Sequence, residues 1–482
     1  MLFNSFDFIL FLPIVFALYW FVFKSLRLQN FFVVIASYVF YGWWDFRFLF
    51  LIALTSFCSF ASGLAIEHYE GRRKHQRFIS ASNIVLNISI LGVFKYYNFF
   101  VSNISDLFSV MGYRFDWITL DIILPVGISF YTFQALSYTI DVYQHKLRAE
   151  RDLIAFLAFV SFFPQLVAGP IERATNLLPQ FQKRRHFDYT QAVDGMRQML
   201  WGFFKKMVVA DNCAAIVNSY WNQYDDLPGF SLVLLSLFFA FQIYGDFSGY
   251  SDIAIGCSRL FGIKLMRNFS FPYFSRDISE FWRKWHISLM TWFRDYIYFP
   301  LGGSRCSRFL SMRNTLIVFL ISGLWHGAEW TFISWGIYHA CLIMLFMLLG
   351  WKSKRKAIVG AGRFLPSLKE TGQMVLVFVL VVIGWILFRA ENLSQAVGFF
   401  VAMIRNPFYD TFLIPNNTMF CALWCFVLVI TEWLQREKQH ALQMENSKFF
   451  SYRFVRWATY YVIFYVIICY NGIGQNFIYF QF

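Results

Sequence analysis

The sequence predicts an all-α polytopic membrane protein, and its composition supports that fold class in three ways. Of the 482 residues, 58% are hydrophobic, 22% are aromatic and only 15% are charged, and the mean hydropathy is +0.49. Soluble domains contain about 25% charged residues and a smaller apolar share. The 63 phenylalanine residues suit a surface that faces lipid better than one that faces water. These features exclude an ordinary soluble domain.

The apolar residues are grouped in runs whose lengths approach the roughly 20 residues that cross the hydrocarbon core of a bilayer. In chain order the runs are 8–23, 28–44, 48–66, 78–94, 122–140, 153–171, 227–245, 314–328, 330–351, 371–388, 411–431 and 457–482. A further segment, 189–217, has helical character but contains Lys205, Lys206 and Asp211. We expect roughly 10–13 membrane segments, some of them short and re-entrant where protein or a cavity satisfies the backbone.

The chain is expected to form one membrane domain over residues 1–482, because its polar stretches are only loop-sized and no repeat of fixed period is visible. The first apolar run has no basic segment before it and no small-residue cleavage site after it. We therefore expect a retained helix there rather than a signal peptide.

The net charge of +14 comes from basic residues that lie in loops between the apolar runs, for example at 72–74, 183–185 and 352–356. Such loops follow the positive-inside rule and attract anionic lipid, so we expect them to be cytoplasmic and expect no nucleic-acid partner. The eight cysteines lie mostly in or beside apolar runs, and Cys421 and Cys425 have no histidine at zinc-ligand spacing. Small buried hydrophobes are the expectation for them, with no disulfide framework and no metal site.

Several apolar segments contain polar groups that need partners. Segment 124–143 has a polar face that would serve either hydrogen bonds between helices or a substrate tunnel. Segment 162–173, with two prolines and a glycine, is expected to be broken or re-entrant and to deliver Glu172 and Arg173 to a cavity edge or an interface. Asp246 and Asp252 are six residues apart, about 120° around a continuous helix. We expect them to pair with basic residues of the following segment; a general acid–base pair is the alternative.

Residues 271–303 interleave aromatic with basic side chains, and the segment 281–327 begins and ends close to a Trp-His pair. The aromatic and basic side chains are typical of a membrane interface, although they would also suit the phosphates and adenine of a coenzyme thioester. His286 belongs to the first pair and His326 to the second. His326 is the stronger candidate for chemistry, because it lies in an apolar run between Gly323 and Gly327, which would allow a close approach. The remaining histidines are expected to be structural: His68, His75, His145, His186, His339 and His440.

Long ordered segments of the chain resemble a known family. They are ASYVFYGWW (36–44), LPVGISFYTFQALSYTIDVY (124–143), AGPIER (168–173), DFSGYSDIAIG (246–256), FWRKWHISLMTWFRDYIYFPLGG (281–303), GLWHG (323–327) and FIYFQF (477–482). The chain resembles the bacterial branch of the membrane-bound O-acyltransferase (MBOAT) superfamily, in particular the membrane subunits of alginate O-acetyltransferases.

The resemblance implies a ring of helices around a central tunnel, with the catalytic core at about 120–345. It implies that His326 matches the invariant histidine of the family and His286 the second family position. It also implies an acyl group taken from a cytoplasmic thioester, with acetyl-CoA or another acyl thioester as donor and no permanently bound cofactor. The further expectations are a multi-pass location in the bacterial inner membrane, an extracytoplasmic SGNH-type partner, and an exported or cell-wall polysaccharide as acceptor. Trp285, Arg283 and Trp325 are candidates for donor binding.

The expected reaction is acetyl transfer to a hydroxyl, with neutral His326 as general base. His286 would orient the donor, hydrogen-bond the thioester carbonyl or assist proton transfer. We expect Arg294 and Asp295 to stabilise local structure. Direct transfer needs no nucleophile, and an acyl-enzyme on a Ser or Cys stays open as the alternative route. Two alternative functions also stay open: D-alanyl transfer from a carrier protein to teichoic acid, and a transporter or flippase without enzymatic activity.

Overall fold

The structure is a computed structural model that describes residues 1–113, 124–167, 169–351, 358–408, 418–444, 449–472, 474–475 and 477–478. Every regular element in these ranges is a helix, which confirms the predicted all-α class. Some predictions concern residues outside these ranges. Among the motifs and loops they are 168, 352–356 and 479–482. The first residues of the apolar runs 122–140 and 411–431 also lie outside the described residues.

Among the described residues, five helices are long and apolar enough to cross a membrane: Phe46–His68, Arg73–Val110, Gly229–Leu260, Trp330–Leu348 and Leu368–Arg389. Three shorter apolar helices are Phe6–Val22, Leu393–Arg405 and Thr418–Leu434. The count of roughly 10–13 segments stays a prediction; the short segments that it included are present, because several runs fold as short pieces. The run 153–171, for example, divides into Leu153–Ser161 and Phe163–Leu166, as expected for a broken segment.

The chain divides into two compact units. The first comprises Met1–Ala192 and Cys257–Met266. Its α-helices are Phe6–Ala17, Leu26–Gly42, Leu49–His68, Arg73–Val110, Ile128–Tyr143, Leu153–Ser161, Phe163–Leu166 and Ala174–Phe181. The ring of helices, the tunnel and the single-domain organisation stay predictions.

Polar groups of the first unit are used for internal packing. The Asn83 amide donates to the Thr139 hydroxyl at 2.7 Å, and the Gln134 amide donates to the Phe159 carbonyl. These bonds favour interhelical hydrogen bonding as the role of the polar face of 124–143. Glu172 is fully buried and accepts hydrogen bonds from the Asn176 amide and the Met266 backbone, so the carboxylate lies inside the unit and not at an open edge. Burial raises the pKa of Glu172 to about 7.

The second unit comprises Val193–Gly256 and Arg267–Phe482. The α-helices that lie in it wholly or mostly are Tyr189–Phe203, Asp211–Tyr220, Gly229–Leu260, Ile278–Lys284, Ile287–Phe293, Arg308–His326, Trp330–Leu348, Leu368–Arg389, Leu393–Arg405, Thr418–Leu434 and Arg453–Tyr470. Local caps set several of their ends. Ser307 accepts from the Leu310 amide at the start of one helix, and Ser367 forms a capping box with Glu370 at the start of another.

A buried ionic network holds this unit together around a π-helical segment, Phe204–Ala210. The Lys206 ammonium lies 2.8 Å from a carboxylate oxygen of Asp211 and 2.8 Å from one of Asp246, and all three side chains are almost fully buried. Lys205 pairs with Asp252 at 2.6 Å. The predicted pairing of the two aspartates is confirmed. The ion-pair partners are lysines from the preceding segment and not, as predicted, from the following segment. The following segment contributes Arg267, whose charge interacts with Asp252.

Replacing Lys206 by methionine should destabilise the protein strongly, because it leaves the carboxylates of Asp211 and Asp246 buried without their cation. Breaking a buried pair in this way costs roughly 3–5 kcal/mol. Lys369→Met, at an exposed position, is the control. Thermal aggregation of the detergent-solubilised variants measures the difference, and equal midpoints for the two variants would contradict the prediction.

Candidate active site

His286 lies between two short helices, Ile278–Lys284 and Ile287–Phe293, in a left-handed backbone conformation with φ of 43°. Few residues other than glycine adopt this conformation, and such positions are concentrated at functional sites. The amide of Ile287 donates to the Asn268 carbonyl at 2.8 Å, which holds the turn in place. The backbone is therefore fixed in an unfavourable conformation that aims the His286 side chain into the protein.

Hydrogen bonds determine which nitrogen of His286 carries the proton. Nδ1 of His286 lies 3.1 Å from Oδ1 of Asn268, while the Asn268 amide nitrogen donates to the Ser251 hydroxyl at 3.0 Å. The Ser288 hydroxyl also donates to this oxygen, at 2.9 Å. Because Oδ1 only accepts, Nδ1 of His286 is the protonated nitrogen, and Nε2 carries the lone pair. Burial lowers the pKa of His286 to about 3, so the imidazole is neutral.

His326 is the last residue of the helix Arg308–His326 and is 4% exposed. Its ring contacts the rings of Trp335 at 5.0 Å and Phe388 at 5.2 Å between centroids. The close approach expected at the neighbouring glycines occurs within the chain itself. A Cβ on Gly323 would lie 2.4 Å from the Phe332 carbonyl oxygen, and one on Gly327 would lie 2.1 Å from the Phe332 ring.

The structure brings the two predicted histidines together through one indole. The ring of Trp325 lies 5.9 Å from that of His286 and 4.9 Å from that of His326, both within the range of aromatic contact. The two histidines are 40 positions apart in the sequence, and the packing of their two segments brings them into one site. The pair is buried among aromatic side chains, where electrostatic interactions are stronger than in water.

Sequence reasoning missed three residues at this site. Asn268 orients His286 from 18 positions earlier in the chain, and no local pattern marks it. His339 is fully buried, its ring contacts those of Trp282 at 4.9 Å and Trp335 at 5.2 Å, and neither of its nitrogens has a hydrogen-bond partner among the described residues. Trp335 and His339 are four residues apart on one helix, a spacing from which their shared face could have been inferred.

A cavity of about 450 Å³ opens beside the turn that holds His286. It is lined by Arg267, Ser270, Phe271, Phe274, Glu280, Arg283, Lys284, Ile287, Ile358, Val359, Arg436 and Gln439. Four of these side chains are cationic and one is a carboxylate, so the cavity suits an anion. Of the three predicted donor-binding residues, Arg283 is in this lining. Trp285 instead packs against Trp385, at 4.9 Å between centroids, and Trp325 contacts the histidines.

The Arg267 guanidinium lines this cavity, and its charge also interacts with the carboxylates of Asp252 and Glu432. Its Nε donates to the Phe269 carbonyl at 2.6 Å, and its carbon lies 4.9 Å from the Phe271 ring centroid. Its Nη2 is buried and has no hydrogen-bond partner among the described residues. Phe271, like His286, has positive φ (50°), so strained backbone borders the cavity at both positions. By contrast, the Arg436 guanidinium donates hydrogen bonds to backbone carbonyls, including those of Val359 and Gly360.

Comparison with known proteins identifies the family. Residues 147–364 match the model of MBOAT, the membrane-bound O-acyltransferase family. The chain is 42% identical over 405 residues to a Pseudomonas aeruginosa protein named "Probable alginate O-acetylase AlgI", an alignment that covers 84% of this chain and 75% of the relative. The chain belongs to the membrane-bound O-acyltransferase family. This enzyme is therefore an acyltransferase of the membrane, as the resemblance implied, and the alternative of a transporter without enzymatic activity falls away.

Two further relatives of this O-acyltransferase differ in the acceptor that their names state. The chain is 33% identical over 398 residues to the "Peptidoglycan O-acetyltransferase" of Helicobacter pylori, covering 77% of this chain and 73% of the relative. It is 32% identical over 246 residues to the "Teichoic acid D-alanyltransferase" of Streptococcus thermophilus, covering 48% of this chain and 59% of the relative. The alignments with the relatives named for O-acetylation are therefore longer than the alignment with the relative named for D-alanyl transfer.

Arg294 and Asp295 pair with each other at 2.7 Å on an exposed part of the segment. This geometry agrees with the structural role expected for them.

Replacing Asn268 by alanine should lower the turnover of this O-acyltransferase by about tenfold or more, since a lost buried hydrogen bond is worth roughly 1–3 kcal/mol and the imidazole tautomer is no longer fixed. The donor KM should change little, because Asn268 does not line the cavity. Lys264→Ala, an exposed side chain of the same loop outside the cavity lining, is the control. A variant with unchanged turnover at normal membrane abundance would show that Asn268 does not position His286.

The depressed pKa of His286 predicts how stability depends on pH. An unfolded histidine binds a proton below about pH 6.5, whereas in the folded protein the pKa is about 3. Between these values only the unfolded state is protonated, so stability is greatest above about pH 6.5 and falls as the pH drops toward 3. His286→Asn removes the titration and tolerates positive φ. The loss of melting temperature between about pH 7 and pH 4.5 should be smaller in this variant; an identical loss would contradict the assignment.

Proposed function

We propose that this enzyme transfers an acetyl group from a cytoplasmic thioester, acetyl-CoA, toward an exported or cell-wall polysaccharide at the bacterial inner membrane. The observation that supports it most directly is the convergence of His286 and His326 on Trp325, beside a cationic cavity whose lining includes Ile287. The names of the relatives, alginate O-acetylase and peptidoglycan O-acetyltransferase, support acetylation and a polysaccharide acceptor.

The cavity is the proposed site of the donor. The phosphates of a coenzyme carry negative charge, and Arg267 and Arg283 supply cations whose planar geometry suits phosphate. Ile287 belongs to the cavity lining and directly follows His286, so a thioester that extends from the phosphates would approach the histidine. Arg283 keeps the donor-binding role predicted for it, while Trp285 and Trp325 would shape the buried end of the path.

In the proposed reaction an acceptor hydroxyl attacks the thioester carbonyl carbon. His326 takes the hydroxyl proton as the new C–O bond forms, the C–S bond breaks, and the released thiolate takes up a proton to give free coenzyme. Neutral His286 has its proton on Nδ1, bonded to Asn268, so Nε2 can only accept. This favours orientation of the donor or assistance in proton transfer over a hydrogen bond donated to the thioester carbonyl.

An extracytoplasmic acyltransferase partner of SGNH type completes the proposal, since the acceptor polysaccharide lies outside the membrane. Specificity for the sugar would then lie in the partner.

Transfer of D-alanine from a carrier protein to teichoic acid is the second candidate, favoured by the relatives named for that activity. The two candidates differ in the donor, so the donor itself must be tested.

Substitution of His326 by alanine should abolish acetylation of cell-surface glycan, a loss of about 10²–10⁴-fold, because a positioned base contributes that much. The measurement is O-acetyl content of the glycan in cells with equal membrane levels of each variant. His75→Ala, an exposed histidine, is the control. Full acetylation with His326→Ala would overturn the mechanism, and D-alanine esters in place of acetyl esters would select the second candidate.

Substitution of Arg267 by glutamine should raise the KM for acetyl-CoA by about tenfold, because a charge-assisted hydrogen bond of roughly 1.5–3 kcal/mol is lost. The turnover at saturating donor should change little. Arg453→Gln, on an exposed surface outside the cavity, is the matched control. An unchanged KM for acetyl-CoA would show that the phosphates bind elsewhere.

A further inference from the structure

Three cysteines converge in the interior of the second unit, at a place the proposed function does not use. The sulfur of Cys213 lies 3.2 Å from that of Cys421 and 3.6 Å from that of Cys425, and all three sulfurs lie within 4.8 Å of one another. The residues are 0%, 1% and 5% exposed, and none of them forms a disulfide.

The fold brings the three sulfurs together from distant parts of the chain. Cys421 and Cys425 are one turn apart on the helix Thr418–Leu434 and therefore lie on one face. Cys213 lies in the first turn of the helix Asp211–Tyr220, whose first residue is held by the Lys206 ion pair. The position of Cys213 is thus fixed by the ionic network, and a third thiol is held against a pair on the facing helix.

The donor set indicates a soft metal cation. Thiolates bind d¹⁰ ions such as Cu(I) and Zn(II), with a sulfur–metal distance of about 2.3 Å for zinc. Three sulfurs bound to one ion at about 2.3 Å lie about 4.0 Å apart in trigonal geometry, so Cys213 would move away from Cys421 by about 0.8 Å and from Cys425 by about 0.4 Å. The cluster contains no histidine or carboxylate among the described residues, which leaves an all-sulfur site.

A buried threonine lies on the cysteine-bearing face of the same helix. Thr418 lies one turn before Cys421 on the same helix, at the spacing that puts 418, 421 and 425 on one face. Its hydroxyl is buried, with the residue 4% exposed, and has no hydrogen-bond partner among the described residues. An unsatisfied buried hydroxyl is costly unless a ligand or ion is nearby.

We propose that Cys213, Cys421 and Cys425 form a three-sulfur site for a soft monovalent cation, Cu(I). Charge favours Cu(I) over Zn(II) in this apolar setting, because one thiolate neutralises Cu(I) whereas Zn(II) needs two. Each thiol that becomes a thiolate on binding releases one proton. The bound ion would link the helix Asp211–Tyr220 to the helix Thr418–Leu434. The site is independent of the acyl-transfer reaction.

The test uses the purified full-length protein in detergent, reduced and then given Cu(I) buffered by a competing chelator. One Cu(I) per chain should bind to the wild type, and the affinity should fall by at least about 100-fold when Cys421 and Cys425 are both serine. Cys257→Ser, which removes a buried cysteine outside the cluster, is the control and should bind as the wild type does. Zn(II) alone, offered in the same way, should bind more weakly than Cu(I).

A second measurement separates loss of the site from loss of the fold. Because Cu(I) would bind the folded protein, saturating Cu(I) should raise the melting temperature of the wild type and of Cys257→Ser but not that of the double-serine variant. Equal Cu(I) binding by wild type and the double-serine variant would overturn the proposal. So would the absence of any Cu(I)-dependent shift in the wild type, or a Cys213–Cys421 disulfide that persists after reduction.

Discussion

The second unit depends on one buried ionic contact, the Lys206 ammonium between the carboxylates of Asp211 and Asp246. A charge in such surroundings is tolerated only when it is paired and hydrogen-bonded. The backbone near the C-terminus contributes to the same centre: the Ile478 amide donates to Asp246 at 2.7 Å, and Lys206 donates to the Gln475 carbonyl at 3.0 Å. One cation therefore joins two helices and a segment more than 200 residues away in sequence.

This contact reaches the candidate active site through the helix Gly229–Leu260. Asp246 lies in that helix beside Phe247, whose ring lies 4.6 Å from the ring of His286. One turn further on, Ser251 accepts the amide proton of Asn268, which fixes the oxygen that His286 needs. The helix held by the ionic contact thus supplies both a wall and an indirect hydrogen-bond support for the imidazole. The helix Gly229–Leu260 therefore contributes both to the stability of the second unit and to the position of His286.

Two different environments adjoin at the site. The histidines lie among indole and phenyl rings, where burial keeps His286 neutral, whereas the cavity next to Ile287 presents guanidinium and ammonium groups. An anionic donor with an apolar, uncharged reactive end fits this division. Its charged part would stay with the cations, and its thioester would enter the region where proton transfer to a neutral base is favourable.

The sequence alone determined the features that depend on local composition and residue type. Apolar runs set the all-α membrane class, and the Trp-His pairs identified His286 and His326 as the candidates, because hydrophobicity and residue chemistry are readable position by position. It could not identify Asn268 as the partner of His286, Lys206 as the partner of Asp246, or the meeting of Cys213 with Cys421. These contacts join residues between 18 and 208 positions apart. Only the tertiary structure decided them, since they form where helices pack and no local pattern encodes which faces meet.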